Sequence, residues 1–213
     1  HHVWTGWQDL DATTEPLVPR RLRRHERFLV NLCWKTWLPL FSVLYRLNSF
    51  WNLPRLRRFV AKTHHPRILK NIAFLLVSYG IVVYWLGLLQ LVSLAGLAVF
   101  LTLVYQDPLL LSQHTHIPQH LSQGQKVKPF SPLEQGQFTR SVKFPSWFSA
   151  GVLLNFGAHE LHHLYVQVPG YWLDHIAYLP RHEMHWWRWL LKAKRVPGEV
   201  FLFQNQTLSG LDL

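Results

Sequence analysis

Residues 71–106 read NIAFLLVSYGIVVYWLGLLQLVSLAGLAVFLTLVYQ, about 36 positions without one charged side chain. One helix needs about 20 apolar residues to cross the hydrocarbon core of a bilayer. The run is therefore too long for one ordinary span and just long enough for two short ones joined by a tight turn. That turn is expected within residues 86–93, around Gly87 and Gln90. Gly80, Gly87 and Gly96 argue against one long tilted helix. A buried soluble hairpin is the remaining alternative.

The charges around the run favour the membrane. No Lys or Arg lies between Lys70 and Lys126, and every basic cluster falls before or after the apolar stretch. A two-span hairpin returns the chain to the side it left. The excess of basic residues in cytoplasmic segments then predicts both flanks on the cytoplasmic side. The composition agrees: 49% hydrophobic with 11 Trp and 13 Phe, yet a formal charge of +11 and 14 His. The basic residues are not interleaved with any nucleic-acid-binding motif, so no nucleic-acid partner is expected. Cys33 is the single cysteine, which excludes a disulfide framework and a cysteine-based zinc site. Any metal must be held by histidine and carboxylate. The chain opens on His1 and has only Met184, so we expect a piece of a longer protein.

Outward from the run, residues 1–27 are polar and end near the basic cluster Arg20-Arg21-Leu22-Arg23-Arg24, suggesting loop or short interfacial structure. Residues 28–51 are rich in Leu, Phe and Trp but include Lys35, Pro39 and Arg46, as expected of an amphipathic segment on the membrane surface. A basic patch, residues 55–70, is interrupted by Pro66 and preceded by Pro54. Residues 107–129 carry Gln113-His114-Thr115-His116 and His120, and residues 121–145 are turn-rich. An apolar helix over residues 147–158 is expected to end in a histidine cluster, followed by a turn at Val168-Pro169-Gly170-Tyr171. Residues 174–195, basic and Trp-rich, fit an interfacial helix.

The cluster is His159-Glu160-Leu161-His162-His163. On a helix, offsets of three and four place all three imidazoles on one face. Imidazoles gathered on an apolar element are costly unless satisfied, and a metal ion satisfies them well. His1-His2 and His114, the latter with His116 and His120, form two further groups. Asn155, one turn before His159, is either a supporting contact or helix surface. His25, His64, His65, His175, His182 and His185 lie in basic or Trp-rich segments and read as interfacial residues.

These motifs together resemble the membrane fatty acid desaturase superfamily, specifically its delta-12-like acyl-lipid branch. That family has three histidine boxes. His1 and His2, followed by Val3-Trp4-Thr5-Gly6 and Asp9-Leu10-Asp11, match the end of its second box. His159, His162 and His163 match its third in full, with Pro169 and Tyr171 of the segment that follows. Gln113-His114-Thr115-His116 matches its Q-H-T-H, whose first His is an additional ligand. The first box, the helices before it and the first His of the second box lie outside this chain. Residues 1–213 would then be the C-terminal part of one desaturase domain, expected to lack several iron ligands and to be inactive by itself.

The resemblance implies an all-α integral membrane domain with one transmembrane hairpin, residues 71–106, and a cytoplasmic histidine-rich helical cap. It implies iron ligands at His1, His2, His114, His159, His162 and His163, with His116 and His120 less clearly involved. Two iron ions would serve as cofactor and O2 as co-substrate. The substrate would be a fatty acyl lipid, the electron donor ferredoxin or cytochrome b5, and membrane lipids the surroundings. Hydroxylases of fatty acids or alkanes and carotenoid ketolases share the boxes, so hydroxylation stays open beside desaturation. His159-Glu160-Leu161-His162-His163 also satisfies H-E-x-x-H, the zinc motif of an intramembrane protease with Glu160 as base. That reading needs a distal third ligand, for which Asp174 and Glu183 are the nearby acids.

Overall fold

The computed structural model describes residues 1–213. They form two compact units, one of residues 1–38 with 108–213 and one of residues 39–107. In the first, a turn-rich stretch precedes α1 (Arg24–Thr36). The Glu26 carboxylate accepts the Arg23 N–H at 2.8 Å and so closes the first turn of α1. Trp37, in the left-handed region at φ 63°, ends it.

The unit of residues 39–107 begins with α2 (Leu40–Arg46), a π turn (Leu47–Trp51) and α3 (Leu53–Phe59). Two long helices follow, α4 (His65–Leu86) and α5 (Leu88–His114). Pro54 and Pro66 do not break this region. Each sits in the first turn of its helix, α3 or α4, where a missing N–H costs nothing. The two helices at the expected hairpin extend beyond residues 71–106. Both are long and apolar enough to cross a membrane, about 33 and 40 Å long at 1.5 Å per residue. The break between them is the single residue Gly87, at φ 75°, rather than a turn over several positions. Their side chains face outward, Leu89 at 87% and Tyr84 at 82% exposure, as lipid-facing positions must. Within this unit the Asp107 carboxylate accepts the Ser42 N–H at 2.5 Å, and Arg46 donates to Gln106 Oε1 at 2.7 Å.

His114, expected in the stretch that follows the hairpin, is the last residue of α5. From there the chain forms α6 (Pro132–Gln135), β1 (Ser141–Lys143), α7 (Ser146–Gly151), α8 (His159–Leu164), β2 (Glu183–His185), α9 (Trp186–Arg195), α10 (Gly198–Phe203) and α11 (Gln206–Ser209). β1 and β2 pair in parallel, Val142 opposite Met184, a small sheet that the all-α expectation did not contain. The helix expected over residues 174–195 begins only at Trp186. The core of this unit is aromatic. Trp34 stacks on Phe201 with centroids 4.5 Å apart, and Trp189, Leu190, Ala193 and Phe201 are fully buried. Lys194 lies 3.7 Å from the Trp34 ring centroid and 4.1 Å from that of Trp37.

The histidine motif does not end a long helix. The apolar run of residues 147–158 is broken by Leu154 at φ 49° and Asn155 at φ 58°, and α8 starts afresh at His159. Asn155 tolerates the left-handed region; Leu does not, and the bend costs about 1–2 kcal/mol there. Gly157 completes it, because a Cβ would drive into the Val142 carbonyl.

Candidate metal centre

Three separated stretches supply the imidazoles. His1 and His2 lie in a turn held by the Trp4 N–H on the His1 carbonyl at 2.8 Å and by Gln135 Nε2 on the His2 carbonyl at 2.7 Å. Gly6 allows this turn to pass the aromatic floor: at φ 100°, its Cβ would fall 2.6–2.7 Å from the Phe138 and Phe130 rings. His114 is presented by the end of α5, and His159, His162 and His163 by α8.

One ligand atom from each of His1, His114, His159 and His163 lies within 4.8 Å of all the others. His159 and His163 are buried, and His114 is 8% exposed. His114 Nε2 is 2.7 Å from His159 Nε2, which is 3.2 Å from His163 Nε2. Beside these four, His2 Nε2 is 3.0 Å from His162 Nε2. The His2 ring centroid is 4.9 Å from that of His163, so the pair adjoins the four.

The partners of the far nitrogens fix which nitrogen faces inward. Asp11 accepts from His1 Nδ1 at 2.7 Å, Gln135 Oε1 from His163 Nδ1 at 3.0 Å, and the Phe138 carbonyl from His114 Nδ1 at 3.4 Å. These assignments of the proton leave each Nε2 bare. His114 Nε2 and His163 Nε2 both approach His159 Nε2, which has at most one proton to offer. Unshared lone pairs therefore converge among largely buried side chains, where a cation would satisfy them. His159 Nδ1 is itself buried without a partner.

Charge and burial agree with that role. Burial first, then the neighbouring imidazoles, hold His159 and His163 far below the ordinary 6.5, and burial lowers His162. His2 is lowered by burial and then by His162. Neutral imidazole is the metal-binding form, so the site is deprotonated in advance. Burial pushes the Asp11 carboxyl up, opposed in lesser part by His114 and the Thr13 N–H.

A family model described as fatty acid desaturase matches residues 1–190. The chain belongs to the fatty acid desaturase family. No curated protein and no solved structure matches it. For a member of this family, two membrane-capable helices and a buried cluster of histidines are the parts that oxygen-dependent oxidation of a fatty acyl chain requires.

The other named residues lie elsewhere. His116, at φ 56°, turns from the cluster, and its Nε2 meets Ser209 Oγ at 2.7 Å. His120 packs its ring against Trp7, Phe130 and Phe138 at 5.4–5.5 Å. Asn155 donates to the Gly170 carbonyl at 3.2 Å and accepts from Ser149 Oγ at 3.2 Å, bracing the bend before His159. Glu160 faces away from the imidazoles. Its oxygens accept the N–H groups of Arg181 and His182 at 2.7 and 2.8 Å and the Tyr178 hydroxyl at 3.3 Å. A carboxylate so engaged is not placed as a base beside a metal on His159 and His163, which removes the physical support for the zinc protease. Asp174 pairs with His175 instead. Sequence reasoning missed Gln135 and the contact of Thr5 Oγ1 with His163 Nδ1 at 3.4 Å. Gln135 alone supports both His163 and the backbone of His2, and no sequence pattern marks it.

Proposed function

We propose that the cluster holds two iron ions and that the protein is an acyl-lipid desaturase of the delta-12-like branch. It would introduce a double bond into a fatty acyl chain with O2 and two electrons from an external donor. The observation that carries this reading is the division of six imidazoles into a group of four, the half-buried His1 with the buried His114, His159 and His163, and an adjoining pair, His2 and His162. Such a division suits two ions side by side. The iron pair supplies the activation of O2 needed to attack an unactivated C–H bond.

The residues of the chain do the rest. Asp11, Gln135 and the Phe138 carbonyl orient their imidazoles by holding Nδ1–H. The burial of His159 and His163 keeps water from the inner face of the cluster. Removal of two hydrogens from the chain, with O2 and two electrons and two protons from outside, yields the alkene and two waters. Ferredoxin or cytochrome b5 is the donor class that fits, and the net positive charge favours an acidic partner. With both basic flanks cytoplasmic, the site would lie on the cytoplasmic side. A hydroxylase or ketolase would use the same cluster and differ in product.

Elemental analysis of a chain that carries all three histidine boxes tests the reading. About two irons per chain are expected, lost on His162→Ala together with any new double bond in the lipids of an expressing host. A hydroxylated product would move the assignment to the hydroxylases. One zinc, lost on His159→Ala but kept on His114→Ala, would sink it.

A further inference from the structure

We infer that Arg140 is the positioning residue that aims His114 into the cluster. The inference rests on the cluster's being the metal centre. Arg140 is 6% exposed, and no side-chain carboxylate accepts a hydrogen bond from its guanidinium. Backbone oxygens take that place. Nη1 donates to the Ser112 carbonyl at 2.8 Å and to the Thr115 carbonyl at 3.3 Å, and Nη2 to those of His116 at 3.5 Å and Leu213 at 2.9 Å. The Arg140 N–H donates to the Gln113 carbonyl at 2.9 Å. One residue thus holds the carbonyls of 112, 113, 115 and 116, on both sides of His114.

A buried cation is expensive, and carbonyl groups must replace its water. These carbonyls belong to the last turn of α5 and the residues after it, where the helix dipole is negative and a cation is stabilised. Burial lowers the guanidinium pKa to about 10, offset in part by Asp212, so it stays charged at neutral pH. The rigid fork of an arginine reaches several carbonyls at once, which a lysine does not. The neighbouring carbonyl of Phe138, on the same short segment, accepts from His114 Nδ1. Backbone direction and imidazole direction at His114 are therefore set by one stretch, residues 138–140. His114 needs this more than its partners do. It is the single cluster histidine with no second ligand beside it in sequence.

Cobalt(II) titration of the full protein, followed by the visible absorption of the bound ion, tests the inference. Arg140→Met is expected to keep the helical circular dichroism, to weaken cobalt binding about 10–100-fold as loss of an outer support does, and to alter the absorption band. Arg140→Lys should recover part of the affinity. An unchanged affinity and spectrum in Arg140→Met overturns the proposal. Loss of helicity in both variants also overturns it, because Arg140 then serves folding alone. His159→Ala separates the two readings: if cobalt still binds as before, the cluster is not the metal centre, whatever Arg140 does.

Discussion

Asp11 shows how much of the site depends on side chains that would never touch the ion. It is 1% exposed, accepts from His1 Nδ1 and is held by the Thr13 N–H at 2.8 Å. Asp11→Asn removes the charge that fixes the His1 proton on Nδ1. Chelator competition should then show metal affinity lower by about 10–100-fold with the fold intact. Gly6 acts by absence. Gly6→Ala forces a side chain into φ 100° and against Phe138 and Phe130, so the melting midpoint should fall by the equivalent of about 1 kcal/mol or more. At this scale the sequence was half legible. The six histidines stood out by type and spacing. Gln135, 28 positions from His163, carries no pattern that announces a partner so distant.

At the scale of elements, α8 has only six residues, yet it presents three imidazoles in the order that the i, i+3, i+4 spacing dictates. What holds so short a helix is Glu160, through the loop at residues 178–182. Glu160→Gln should lower stability by about 1–3 kcal/mol, read by thermal melting, because two backbone N–H groups lose a charged acceptor. It should leave the identity of the bound metal unchanged. The spacing within the motif was readable because helical geometry is local. The helix before it was misjudged because apolar content alone does not reveal a left-handed bend at Leu154 and Asn155. The long helices were legible in kind and misjudged in length. Charge-free sequence marks what lipid can accept, whereas hydrogen bonding carries α4 back to His65 and α5 on to His114.

For the whole molecule, the lowered pKa values of His2, His159, His162 and His163 have one consequence. The unfolded chain takes up these protons near the ordinary 6.5, and the folded cluster resists them to lower pH. The unfolded state thus binds more protons below about 6.5, and the stability of the metal-free protein must fall as pH drops through that value. Melting midpoints measured between about pH 5 and 8 should rise with pH, with a shallower slope in His163→Ala. Bound metal competes with the same protons, so metal release should follow acidification.

His2 and His162 stand 160 positions apart, and His114 and His159 stand 45 apart. An ion shared among them is a topological staple that closes two long loops at one knot, as a crosslink would. The entropy withheld from the unfolded chain grows only slowly with loop length, about 0.6 kcal/mol per doubling, but long loops gain most from closure. Chelation therefore cuts the staple without breaking a bond. The stretch from His1 to Asp11 keeps its bonds from Gly6 and Gln8 to His120 and from Asp9 to Ser122, but without the knot limited proteolysis should cut it sooner than when metal is bound.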